Sequence, residues 1–355
     1  MSQKPLERGD RVPNFVLADL GGAFRLFYDT TKGGPGVVTL LKAADPGAKT
    51  ALKALAERAP ELARLGAEIF AVIEGAPGAV AALVGSVVAE GAKDAPFPVF
   101  VDADGKVNAV YPVAGEHGGR KTVVIDPNQR MLASFAEGDP AVETGRALDF
   151  VKQNWRAPQA APAGRPAPVL LIPDAFDKAL CRTLIDAWRK DHAEMGVSGS
   201  TDAMLYDKKK SQDHLIRDPA MVRTVSETLN RRIAPEVMKA FTFKGPYGFD
   251  GHIVLGYDAA RKDFFGPHRD NMSPRTRHRR FAISLNLNDD FEGGQLRFPE
   301  YGSGLYSLDA GMACVFSCTL LHEAMPVTRG QRFVLTTFMC DPPQQQPGAA
   351  QARKV

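Results

Sequence analysis

His268 and Asp270 stand two positions apart, a second histidine, His322, comes much later, and Arg332 follows it. Two imidazoles and one carboxylate are the donor set of a mononuclear non-haem Fe(II) site. They cover one face of the metal and leave the other open for substrate and O2, although Zn and Mn accept similar donors. A guanidinium nearby can grip the far carboxylate of a dicarboxylic co-substrate through two parallel hydrogen bonds. Ligands and anchor together point to an oxygenase that consumes 2-oxoglutarate.

These side chains need particular elements to meet. Residues i and i+2 of a strand share a face, so His268 and Asp270 reach one metal if their stretch is extended or ends a strand. His322 then comes from a distant strand, which a barrel supplies. The turn Thr328-Arg329-Gly330 before Arg332 predicts that its strand runs back beside that of His322, with Thr336 on the same face as a further hydroxyl donor. A His-x-Asp pair alone is a weak signal, because isolated His and Asp are mostly loop or surface residues. A lone Arg near a turn is mostly a solvated charge. An Arg facing into a barrel, in contrast, needs an anionic partner.

From Phe249 onward the pattern is mostly β. Strands are expected at His252–Tyr257, Phe281–Leu287, Gln295–Phe298, Ala313–Ser317 and Gln331–Met339, divided by Gly-rich turns. Short strands at this spacing suggest a jelly-roll barrel. Two helices precede them and should pack outside. One runs from Lys178 to about Glu194, capped by Asp177. The other opens at Asp218-Pro219 and reaches about Phe241, with an interruption at Pro235. Gly293 and Gly294 set a turn. Asn286 either hydrogen-bonds the co-substrate or satisfies backbone groups. Arg275, Arg277, His278, Arg279 and Arg280 read as a solvated basic loop, with attraction of an acidic substrate to the barrel mouth as the alternative. Cys314 and Cys318 read as core, and His117, His192, His214 and His252 have no partner spacing.

Tyr257, Phe264-Phe265, His268-Arg269-Asp270, Leu285-Asn286-Leu287-Asn288, the run from Phe291 to Pro299, the run from His322 to Val327 and Gly330-Gln331-Arg332 keep the order of the prolyl 4-hydroxylase-like 2-oxoglutarate/Fe(II) dioxygenases. The chain resembles that family over roughly its last third before the tail. The resemblance implies a double-stranded β-helix with iron on His268, Asp270 and His322. It further implies 2-oxoglutarate on Arg332 with Tyr257 beside it, and ascorbate as a candidate reductant. The implied reaction hydroxylates an unactivated C–H bond of a prolyl, other peptidyl or small-molecule substrate with O2, releasing succinate and CO2. Family members often carry Lys at the anchor position, and Arg is an accepted alternative. The carboxylate of Asp270 argues against halogenation, for which a small residue leaves that position open.

Before the linker, strand and helix signals alternate: strand Val37–Leu41, helix Lys49–Leu65, strand Glu68–Ile73, helix Ala79–Glu90, strands Val99–Val101 and Thr122–Ile125, hairpin partner Met131–Phe135, helix Ala141–Trp155. With Gly9 to Leu17, Phe97 to Asp102 and Thr122 to Pro127, this half is similar to a peroxiredoxin of the thioredoxin fold. It departs at the decisive point, since Ala43 to Thr50 holds no cysteine and none precedes Cys181. The α/β fold is expected without its peroxidase chemistry, leaving a structural, partner-binding or dimer-forming role, with a homodimer through this domain as the candidate assembly.

The expected division is 1–155 for the thioredoxin-like domain, 156–168 for a Pro/Ala-rich linker, 169–341 for the dioxygenase domain and 342–355 for a disordered tail. A length of 355 residues and 44% hydrophobic content suit two cores. Net charge of +3 without a basic run gives no reason to expect nucleic acid. No stretch has the length or apolarity of a membrane span, the start lacks a signal-peptide pattern, and four cysteines without a CxxC pair suit a reducing cytoplasm. Two other readings stand beside the oxygenase: a scaffold of two inactive domains, and a zinc hydrolase using the same ligands, which leaves Arg332 and Tyr257 without a role.

Overall fold

The computed structural model describes residues 4–88, 95–114, 116, 120–136, 138–157, 164–195, 197–198, 204–205 and 209–342. Two compact units divide between Ala161 and Pro162. Among the described residues, no helix is long and apolar enough to cross a membrane.

Unit 1 contains, in chain order, β1 (Val16–Asp19), β2 (Phe24–Leu26), α1 (Phe27–Thr30), β3 (Gly36–Lys42), α2 (Ala48–Arg64), β4 (Glu68–Glu74), α3 (Pro77–Gly85), β5 (Val99–Asp102), α4 (Lys106–Ala109), β6 (Lys121–Ile125), β7 (Met131–Phe135) and α5 (Pro140–Asn154). The strands form one mixed sheet in the order β2-β1-β5-β4-β3-β6-β7. Parallel β3, β4 and β5 lie at its centre and are buried on both faces, which is why Val37 to Leu41 is apolar but for Thr39, whose hydroxyl bonds to that of Thr122. One face packs on α2, α3 and α5 through Leu52, Leu55, Leu62, Val80 and Leu148. The other carries an aromatic cluster in which Phe15 and Phe27 stack at 4.7 Å. This is the expected thioredoxin-like α/β layering. Helix α3 ends at Gly85, short of the expected Glu90, which lies outside the described residues.

Unit 2 contains β8 (Leu170–Ile172), α6 (Lys178–Lys190), β9 (Ala193–Met195), β10 (Val197–Ser198), β11 (Met204–Leu205), β12 (Lys209–Leu215), α7 (Pro219–Arg232), α8 (Ala234–Phe241), β13 (Gly248–Asp258), β14 (Phe264–His268), β15 (Arg279–Asn286), β16 (Glu292–Gly293), β17 (Leu296–Arg297), β18 (Leu305–Tyr306), β19 (Ala313–Ser317), β20 (His322–Ala324), β21 (Val327–Arg329) and β22 (Gln331–Cys340). The long path β18-β17-β20-β14-β12-β13-β22-β15-β19-β8 curls on itself, all pairs antiparallel. Strand β12 is the corner. Its start pairs with β14 and its end with β13, so one strand serves both layers of the jelly roll.

The outer face of the larger layer buries Ile283, Leu285, Phe333, Leu335 and Met339 under α6, α7 and α8. Asp177 accepts from Leu180 N and Asp218 from Met221 N, so both helix starts have the expected caps. The second helix breaks at Ile233, because Pro235 in the first turn of α8 has no N–H to continue the ladder. Helix α6 ends at Lys190 rather than near Glu194. Asp191 is extended there, and the following residues pair with β12 as β9, Glu194 opposite Gln212. Ala167, within the stretch expected as linker, is 5% exposed, and its N–H donates to the Tyr306 hydroxyl at 2.7 Å. The expected tail lies outside the described residues from 343 on.

Candidate metal centre

Strand β14 contains Gly266-Pro267. Proline cannot donate to the ladder, and the register against β20 slips there: Phe265 faces Ala324, yet His268 faces His322. The two imidazoles thereby become cross-strand neighbours, ring centroids 4.2 Å apart. Asp270 lies just beyond β14, and its N–H donates to Cys318 O at 3.0 Å, which ties it to the end of β19 in the other layer. One donor atom from each of His268, Asp270 and His322 lies within 4.8 Å of the others. The Asp270 carboxylate is 3.5 Å from each histidine Nε2.

Each histidine Nδ1 meets a carbonyl two residues back, Gly266 O at 2.8 Å for His268 and Leu320 O at 3.1 Å for His322. An N–H donated there leaves Nε2 as the lone-pair donor of both rings, all aimed at one point. Burial pushes His322 down to about 4, so its ring is neutral and able to ligate. Burial pushes the Asp270 carboxyl up, but His268, His322 and Arg279 together outweigh it and leave it below its ordinary value. The donor set fits a divalent transition metal. Phe265 stacks on His268 at 3.5 Å, and Phe316 meets His322 edge-on at 4.6 Å, shielding the rings from water.

Arg332 is 2% exposed. Tyr257 faces it across β13 and β22, with the guanidinium carbon 5.7 Å from the ring centroid. Among the described residues no carboxylate pairs with this guanidinium. Its Nε and Nη2 donate instead to Asn286 Oδ1 at 3.0 and 2.9 Å. A neutral amide is thus the partner of a fully buried cation, an arrangement that favours an anionic guest. Burial raises the Tyr257 phenol far above its ordinary value and keeps it a hydroxyl donor. Thr336 shares the inward face of β22 but is not among the guanidinium's hydrogen-bond partners. A cavity of about 320 Å3 opens onto Arg332 and Asn286, rimmed by Phe291, Gly294 and Leu308. Gly294, at φ 67°, is required here, since a Cβ would lie 2.9 Å from Arg332 Cδ.

Residues 254–340 match the family model of the 2OG-Fe(II) oxygenase superfamily. Unit 2 carries a 2OG-Fe(II) oxygenase domain. Residues 8–133 match the AhpC/TSA family, which places unit 1 in the thioredoxin-like class. A procollagen-lysine,2-oxoglutarate 5-dioxygenase 2 from Mus musculus is 24% identical over 188 residues, covering 49% of this chain and 24% of that protein. A PKHD-type hydroxylase from Xanthomonas campestris pv. campestris (strain 8004) is 31% identical over 108 residues, 30% of this chain and 44% of the relative. The chain therefore spans less than half the length of these curated relatives. A viral collagen prolyl hydroxylase structure from Paramecium Bursaria Chlorella virus-1 aligns with TM-score 0.40 and 15% identity over 51% of this chain and 100% of its own.

Two expectations about the oxygenase domain are corrected. Strand β22, which carries Arg332, does not run beside the strand of His322. It pairs with β13 and β15, whereas β20 pairs with β14 and β17. Met325-Pro326 interrupts the chain after β20, and the turn before Arg332 follows a separate strand, β21, which pairs with β16. The basic cluster is also more than a solvated loop. Arg279 lies over the inward-facing Phe338 ring at 3.7 Å and donates to Asp250 at 2.7 Å, while Arg280 pairs with Asp341. Sequence reasoning missed the clamp from Arg269, between the two ligands, to Glu300, which also accepts from Leu321 N next to His322. Gly266-Pro267 was the only available signal for the register slip.

In the AhpC/TSA-like domain, α2 opens with Ala48, which is fully buried and has no thiol. Asp45 Oδ1 accepts from Gly47 N at 2.7 Å and Oδ2 from Arg120 Nη1 at 2.7 Å, so a carboxylate occupies the start of this helix. All four cysteines are buried in unit 2, and burial pushes Cys181 and Cys314 up to about 12.

Proposed function

We propose that unit 2 is an Fe(II)- and 2-oxoglutarate-dependent hydroxylase acting on an unactivated C–H bond. The observation that carries this reading is Arg332, a buried guanidinium with no carboxylate partner among the described residues, in the barrel that also holds His268, Asp270 and His322. The three ligands hold the metal through two Nε2 atoms and one carboxylate. Arg332 takes the distal carboxylate of 2-oxoglutarate, with the Tyr257 hydroxyl and, less closely, Thr336 as neutral donors. With iron bound, the site couples oxidative decarboxylation of 2-oxoglutarate by O2 to hydroxylation, releasing succinate and CO2. The protein's share is binding, orientation and exclusion of water by Phe265, Phe298 and Phe316 around the imidazoles. The name of the procollagen-lysine relative favours a peptidyl side chain as substrate, with a small molecule as the other class. No described residue singles out ascorbate as reductant.

Metal content and 2-oxoglutarate consumption, measured on the same full-length protein, test the reading. The expected result is iron with O2-dependent consumption, both lost in Asp270→Ala while the fold survives. Zinc without consumption would assign a hydrolase. No metal and no turnover would assign a scaffold. Full activity in Asp270→Ala would remove the triad.

A further inference from the structure

We infer that Asn286 is a positioning residue that decides which edge of the Arg332 guanidinium meets the co-substrate; this rests on the reading of Arg332 as the 2-oxoglutarate anchor. The amide is held from several sides. Its Nδ2 donates to Leu308 O at 2.7 Å, which turns Oδ1 toward Arg332. Its backbone is pinned as well, with Asn286 N donating to Met312 O at 3.1 Å and Asn286 O accepting from Gly311 N at 2.7 Å. The side chain is 2% exposed and cannot swing away. Oδ1 then takes one proton from Nε and one from Nη2 of Arg332.

A guanidinium has five N–H donors in a fixed plane. With the Nε/Nη2 edge committed to Asn286, the two Nη1 protons and the second Nη2 proton have no partner among the described residues. That remaining edge is the one a carboxylate can grip with two parallel hydrogen bonds. The Arg332 stem passes Gly294 at a distance that leaves no room for a side chain, so the guanidinium has little freedom to pivot. Asn286 is suited to the task because it is neutral: it fixes the plane without cancelling the charge. A carboxylate at the same place would form an internal ion pair with Arg332 and compete with the ligand. Asn286, Leu308 and Arg332 line one and the same cavity.

The test uses full-length protein loaded with Mn(II), with binding read by calorimetry. The two probes are 2-oxoglutarate and 2-oxobutyrate, which lacks the distal carboxylate. Asn286→Ala should weaken 2-oxoglutarate about tenfold or more, the range for losing hydrogen bonds to a charged group. Asn286→Asp should weaken it further, although the side chain has nearly the same shape. Binding of 2-oxobutyrate should be the same in all three proteins. In an Arg332→Ala background the Asn286 substitutions should have no additional effect on 2-oxoglutarate. Wild-type affinity for 2-oxoglutarate in Asn286→Asp would overturn the positioning role, as would equal weakening of both probes in Asn286→Ala. Should Asn286→Asp fail to fold, the comparison of the two probes in Asn286→Ala decides alone. If Arg332→Ala loses affinity while the Asn286 variants do not, only the positioning role falls. If Arg332→Ala binds as wild type does, the anchor reading itself falls.

Discussion

Two buried imidazoles of the same barrel have opposite surroundings. His322 keeps Nε2 free beside Asp270, whereas His252 has both nitrogens engaged, Nε2 with Ser226 Oγ at 2.8 Å and Nδ1 with Thr337 Oγ1 at 3.0 Å. Burial pushes His252 down to about 4. Its folded-state value is thus below the ordinary 6.5, and the unfolded chain takes up the proton first as pH falls. The stability it contributes is complete above pH about 6.5 and is lost progressively down to about 4, on the order of 3 kcal/mol in all. Denaturant titrations across that range should show a shallower acid slope in His252→Gln than in wild type; equal slopes would contradict the assignment. At this scale residue type alone picked out His268, Asp270 and His322, which the structure brings together, and Arg332, which it buries. Asn286 was left between two readings and Glu300 was not foreseen, because their partners, Leu308 O, Leu321 N and Arg269, lie far away in the chain.

Elements with long, regular patterns were readable. Helix α2 begins one residue before its expected start, and β19 has its expected ends, because an apolar pattern is a local signal. The short strands β12 and β21 were not foreseen, and β14 and β20 only as the strands that His268 and His322 would need. Three to seven residues hold too little pattern, and their pairing is decided by the curl of the barrel. The misplacement of β22 beside β20 has this origin. At the junction of β3 and α2 the local sequence was sufficient. A peroxide-reducing thiolate needs a cysteine at a helix start, and α2 starts with Ala48 beside the Asp45–Arg120 pair. The full-length protein should therefore show no thiol-dependent reduction of hydrogen peroxide. Turnover at rates typical of peroxiredoxins, surviving Asp270→Ala, would show that unit 1 has a thiol-independent route.

The whole chain joins an AhpC/TSA-like unit without its thiol to a 2OG-Fe(II) oxygenase domain in which His268, Asp270 and His322 come together. Composition announced this division: the Ala/Pro/Gly stretch after Arg156 marks where the alternating α/β pattern ends, and the two units divide within it. What unit 1 does for unit 2 was not legible, because its fold survives while the residue that would name its chemistry is gone. The oxygenase reading turns on whether a buried cation in unit 2 is there for a dicarboxylate. Titration of 2-oxoglutarate into metal-loaded wild type and Arg332→Ala measures this directly. Removing one member of a buried, hydrogen-bonded charge pair costs about 2–5 kcal/mol, so Arg332→Ala should bind roughly thirtyfold more weakly or worse, with its metal content unchanged. Equal affinity in the two proteins would contradict the anchor and, with it, the assignment of 2-oxoglutarate as co-substrate.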